Sequence, residues 1–171
     1  METNRIPNAI VHTRVPSADG SMVWEDVNSD DIFSGRTVVL FGLPGAFTPA
    51  CSETHLPGFE ALHDEITALC VDEVICISVN DAFVMFKWGK SLGIEKVRMM
   101  PDGNGDLTKN LGMLVSRSDQ GMGKRSWRYS MLVTDGEIET LFSEPGQRDN
   151  PPGVPVTISG AETMLDYLRT R

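Results

Sequence analysis

Two short apolar runs limit the fold more than any other feature. Thr37-Val38-Val39-Leu40-Phe41 and Val74-Ile75-Cys76-Ile77-Ser78-Val79 lack apolar/polar alternation and are rich in β-branched side chains, the pattern of strands buried on both faces of a sheet. Between them Leu56, Phe59, Leu62, Ile66 and Leu69 recur at steps of three and four, which predicts an amphipathic helix with Pro57 near its start, where proline is tolerated or produces a kink. A strand, helix, strand crossover of this kind is right-handed and places both strands parallel in one sheet.

Asp81 to Ser91 reads as a helix, Val97 to Met100 as a short strand and Gly105 to Met113 as a short helix. Tyr129 to Thr134 and Glu137 to Phe142 flank Asp135-Gly136, a strong hairpin signal, so the sheet is mixed. Ile10 to Val15 and Met22 to Glu25 predict an N-terminal hairpin about Ala18-Asp19-Gly20, and Ser159 with Glu162 forms a capping box opening a last helix through Met164, Leu165 and Leu168. The fold class expected is α/β, a thioredoxin-like arrangement of a mixed central β-sheet with helices on both faces and an N-terminal hairpin extension.

The 171 residues show no repeat and no linker, so residues 1–171 are expected to form one domain. Twenty-four acidic against 15 basic side chains give a net charge of −9, which argues against a nucleic acid or membrane partner. Cys51, Cys70 and Cys76 form no CxxC pair and make a poor disulfide framework, so a reducing compartment is expected. The first residues lack a secretory pattern, and the expectation is an unprocessed, cytoplasmic protein.

Chemistry concentrates at Cys51, placed where a buried strand has ended and a helix begins, beside unpaired backbone N–H groups that favour a thiolate. By position alone, a lone cysteine is more often a small buried hydrophobe than a nucleophile. Cys51 and His55 could share a helix face, but no further ligands accompany them and no metal or other cofactor is expected. Cys70, ending the apolar helix stripe, reads as packing. His12 and His63 read as surface residues, and the pairs Asp30-Asp31 and Asp64-Glu65 as solvated faces.

The segment Phe41-Gly42-Leu43-Pro44-Gly45-Ala46-Phe47-Thr48-Pro49-Ala50-Cys51-Ser52, continued by His55-Leu56-Pro57-Gly58-Phe59, resembles the type II (atypical) peroxiredoxins, the peroxiredoxin-5 subfamily. The pattern Pro-x-x-x-Thr-x-x-Cys appears as Pro44, Thr48 and Cys51, and the likeness continues through Cys76-Ile77-Ser78-Val79-Asn80-Asp81 and Arg128-Tyr129-Ser130-Met131. The resemblance implies a thiol peroxidase acting on hydrogen peroxide and small organic hydroperoxides. Cys51 would be the nucleophile passing through sulfenic acid. Thr48 would offer its hydroxyl to thiolate and peroxide, Pro44 would shield the sulfur, and Arg128 would favour the thiolate and bind the peroxide oxygen. Arg125 ranks second, because Tyr-Ser-Met follows Arg128.

The resemblance also implies a homodimer packed near the active-site loops, and glutaredoxin with glutathione, or thioredoxin, as reductant. Glu144 to Ser159 contains no cysteine, so the resolving position of animal members is empty, and a protein without a fused glutaredoxin domain is expected. Cys76 is the one family-supported internal resolving candidate. It should lie roughly 10 Å below the sheet edge at about 3.3 Å per residue, too deep for easy closure with Cys51. A peroxide sensor or redox-regulated binding module with little turnover is the alternative.

Overall fold

The computed structural model describes residues 4–171. Its central sheet has five strands in the order β5-β4-β3-β8-β9. β3 (Thr37–Gly42) and β4 (Glu73–Ser78) are the two apolar runs, parallel with Phe41 opposite Cys76, and β5 (Arg98–Pro101) continues the parallel half. β8 (Tyr129–Thr134) runs antiparallel to β3, and β9 (Glu137–Ser143) returns from it. Asp135 and Gly136 both have positive φ, 48° and 77°, the backbone a tight two-residue hairpin needs. The sheet is mixed and thioredoxin-like, as expected.

The pleat divides the core in two. Val39, Phe41, Val74, Cys76 and Leu132 face one cluster, covered by α2 (Leu56–Ala61), α3 (His63–Thr67), α4 (Ala82–Ser91) and α6 (Ala161–Thr170). Val38, Leu40, Ile75, Ile77, Met131 and Val133 face the other, closed by α1 (Ser29–Phe33), α5 (Asp106–Asn110) and the expected hairpin of β1 (Ile10–Pro16) and β2 (Met22–Asn28).

Several local expectations change. The single helix expected after Cys51 is three pieces: a π-turn at Cys51–His55, then α2, then α3 beyond Leu62 at φ −98°, ψ 6°. Pro57 explains the first break, because it lacks an N–H and its ring crowds the carbonyl four residues back. Opening the preceding turn, with Leu56 N–H reaching Cys51 O, relieves that crowding. The helix expected over Gly105 to Met113 shortens to α5, followed by Gly112 at φ 74°. The capping box is not formed: α6 starts after Gly160 with no side-chain cap, and the Ser159 hydroxyl donates instead to Glu144. Asp30 and Asp31 lie in the first turn of α1, capped by Asn28. A small ribbon of β6 (Leu114–Ser116) and β7 (Lys124–Ser126) has no counterpart in the sequence reading.

Candidate active site

The loop after β3 leads into the π-turn, which places Cys51 at its first residue, fully buried against Leu56, Phe59 and the sheet. Arg128 immediately precedes β8, with the parity of Ser130 and Leu132, so its side chain emerges on the Cys51 face while Tyr129 turns to the opposite cluster. Across 77 residues of sequence, Arg128 Nη2 donates to Cys51 Sγ at 3.3 Å. Arg128 is itself only 3% exposed, a burial in which a cation acts through little intervening water.

His55 completes the arrangement. Arg128 Nη1 lies 3.1 Å from His55 Nδ1, and His55 Nε2 lies 3.0 Å from Ser159 O. A guanidinium can only donate and a carbonyl can only accept, so Nδ1 is the bare nitrogen and Nε2 carries the hydrogen. The ring packs on Phe41 and Phe59, with centroids at 5.0 and 5.7 Å. Burial, and after it the charge of Arg128, pushes its pKa down to about 3, so the imidazole is neutral. The nitrogen a metal would need already faces Arg128. A third bond, Arg128 Nε to Val154 O at 2.8 Å, fixes the other edge of the guanidinium.

Pro44 is buried in the loop wall, and Thr48 is half-buried. The Thr48 hydroxyl donates to Gly45 O at 2.7 Å, so its hydrogen points at that carbonyl and its lone pairs are left to accept. The expectation that it gives its hydrogen to sulfur is corrected accordingly. Asn80 Oδ1 accepts from Ala46 N–H at 3.0 Å and from Ser78 Oγ at 2.6 Å, pinning the loop to the end of β4. Trp88 Nε1 donates to Ser52 Oγ at 3.0 Å, tying the π-turn to α4. Arg125 lies against the same loop, close enough that a Cβ on Gly45 would meet its Nη1 at 2.5 Å. It donates to Met122 O and makes no bond to the sulfur.

Cys76 is fully buried on β4, on the same sheet face as Cys51. Burial, and then the neighbouring Cys51 charge, pushes its thiol well above the ordinary range. Cys70 corrects the packing expectation: it is exposed, at φ 63° after α3, where the helix has ended. His55 and Asn80 are the residues that sequence reasoning assigned no part. Both stand inside the quoted blocks, but what they bond becomes visible only once Arg128 and the Pro44–Thr48 loop are brought to them.

The profile of the Redoxin family matches residues 5–165. A peroxiredoxin of Synechocystis sp. is 54% identical, over 99% of this chain and 92% of its own length. Among solved structures, the antioxidant protein of Plasmodium falciparum, described as a 1-Cys peroxiredoxin, superposes with a TM-score of 0.92 at 30% identity, covering 99% of this chain and 100% of that one. Reduced Prx3 from Vibrio vulnificus in complex with hydrogen peroxide superposes at 0.82 with 38% identity, covering 98% and 99%.

Proposed function

The chain belongs to the redoxin family and is an atypical peroxiredoxin, a thiol peroxidase, and from that premise we propose that Cys51 is its nucleophile and Arg128 the cation that activates it. The observation that carries this is the 3.3 Å bond from Arg128 Nη2 to Cys51 Sγ. The thiolate attacks one oxygen of ROOH, the S–O bond forms as the O–O bond breaks, and the other oxygen leaves as water or alcohol after taking a proton. Charge grows on that departing oxygen, and Arg128 is the fixed donor beside it. Thr48, its own hydrogen held by Gly45 O, accepts from the peroxide hydroxyl and orients it. Pro44 offers no N–H and keeps water from the sulfur. The substrates are hydrogen peroxide and small organic hydroperoxides, in keeping with the peroxide bound to the Vibrio vulnificus relative.

Regeneration is by an external thiol: it condenses with Cys51 sulfenic acid, releasing water, and a second thiol displaces the mixed disulfide. Glutathione with glutaredoxin is favoured over thioredoxin. Cys76, with its thiol protonated in the core, is a poor resolving group until the first turn opens. We place the protein in a reducing cytoplasm, on its three unpaired cysteines, and as a homodimer, on the resemblance. Steady-state peroxide consumption with glutaredoxin and thioredoxin systems side by side tests this reading. Wild type should turn over repeatedly, Cys76→Ser should keep most glutaredoxin-supported activity, and Cys51→Ser should have none. A single turnover with every donor would favour a peroxide sensor instead.

A further inference from the structure

Glu144, 3% exposed, takes no part in the chemistry above, yet its carboxylate is saturated with donors. Oε1 accepts from the backbone N–H groups of Thr157 (2.7 Å), Ile158 (2.9 Å) and Ser159 (3.0 Å) and from the Ser159 hydroxyl (2.9 Å), while Oε2 accepts from the Thr157 hydroxyl. These bonds outweigh the burial that opposes its charge and draw its pKa down to about 2, so it is ionised at any working pH. Its backbone is fastened to the other side of the site: Glu144 N–H donates to Arg128 O at 3.1 Å, and Trp127 Nε1 donates to Glu144 O at 2.7 Å.

The segment that Glu144 holds belongs to no strand or helix, since none lies between β9 and α6. It nevertheless supplies both carbonyls that anchor the catalytic cation and its partner, Val154 O to Arg128 Nε and Ser159 O to His55 Nε2. Pro155 stiffens the chain between Val154 and the anchored residues. With no ladder to fix these carbonyls, the carboxylate takes that part.

We propose that Glu144 is a positioning residue of the peroxidase site: by clamping residues 157–159 to the end of β9 it holds the Val154 and Ser159 carbonyls where they aim Arg128 and His55 at Cys51. The inference rests on the roles assigned to Cys51 and Arg128. Arg128 has three bonds available to define its plane, and Glu144 stands behind one of them directly through the segment and behind a second through His55. A displacement of the guanidinium by about 1 Å is enough to slow a reaction up to roughly a hundredfold.

Wild type, Glu144→Ala, Glu144→Gln and Arg128→Met are compared in two measurements, the single-turnover rate with hydrogen peroxide and the pH profile of Cys51 alkylation by iodoacetamide, with folding followed by circular dichroism. Glu144→Ala should slow peroxide attack by about tenfold or more and move the alkylation profile toward that of Arg128→Met. Glu144→Gln, whose amide oxygen still accepts N–H bonds, should recover part of both. A purely structural residue would lower the unfolding midpoint and leave the alkylation profile of the folded protein in place. Should Glu144→Ala fail to fold, the double variant Thr157→Val/Ser159→Ala, which removes two hydroxyl donors and keeps the backbone bonds, should move both readouts in the same direction. Wild-type rates and profile in the folded variants, with Arg128→Met impaired, overturn the inference and leave the reading of the site standing. An unimpaired Arg128→Met removes that reading and the inference with it.

Discussion

Two arginines three positions apart differ in the face they reach. Arg128 adjoins a central strand with the parity of Ser130 and Leu132, whereas Arg125 sits on the small β6–β7 ribbon opposite Val115. One therefore enters the core at the sulfur, and the other lies across the loop at Gly45. Arg128→Met should slow single-turnover peroxide reduction by at least about tenfold, roughly 1.4 kcal/mol of transition-state stabilisation, and slow Cys51 alkylation at neutral pH. Arg125→Met should do less, by disturbing the loop alone. Equal losses in stopped-flow measurements would undo the distinction. At this scale the sequence was legible as a pattern of types along one loop: Pro44, Thr48 and Cys51 stand together between β3 and the start of the π-turn. It was not legible for His55. Beside Cys51, with a metal pair set aside for want of further ligands, it is left without a part, because nothing in the local sequence indicates that a guanidinium 73 positions away takes its Nδ1.

Elements were legible in proportion to how strongly burial patterned them. β3 and β4, covered on both faces, stood out as apolar runs, and the Asp135-Gly136 turn by its demand for positive φ. The three-residue strands β6 and β7 are too short for any period, and α1 has only five residues. The capping box failed because a tertiary partner, Glu144, competes for the Ser159 hydroxyl that the local motif would use. The helical stripe after Cys51 was read correctly as amphipathic, yet its pitch was not, since the widened turn depends on Pro57. That widening fixes where Cys51 stands relative to Arg128. Pro57→Ala supplies an N–H and removes the ring, so the turn can tighten to a regular helix, a change of one residue that corresponds to about 1.5 Å and about 100°. Peroxide attack should fall about tenfold while far-ultraviolet circular dichroism shows helix content kept or slightly raised. An unchanged rate would mean that the turn keeps its shape without proline.

On the scale of the whole molecule, the sheet separates the cluster closed by α1, α5 and the N-terminal hairpin from one with a neutral imidazole and a buried guanidinium at its edge. This has a thermodynamic consequence. In the unfolded chain His55 takes up a proton as the pH falls past 6.5, its ordinary value, whereas in the fold burial and Arg128 hold it neutral down to about 3. Between those values the unfolded state binds more protons, so stability must decline as the pH falls through that window and level off below it. Glu144 adds a second decline of the same sign at lower pH, between its ordinary 4.5 and about 2, where its hydrogen bonds keep it ionised in the fold. His55→Gln offers an acceptor to Arg128 and a donor to Ser159 O but cannot titrate. Its urea midpoint should lie below that of wild type near pH 7, through imperfect packing on Phe41 and Phe59, yet fall less between about pH 6.5 and about pH 4, so that the two curves converge. Curves that stay parallel across that range would show that His55 is not the group through which acid acts on the fold.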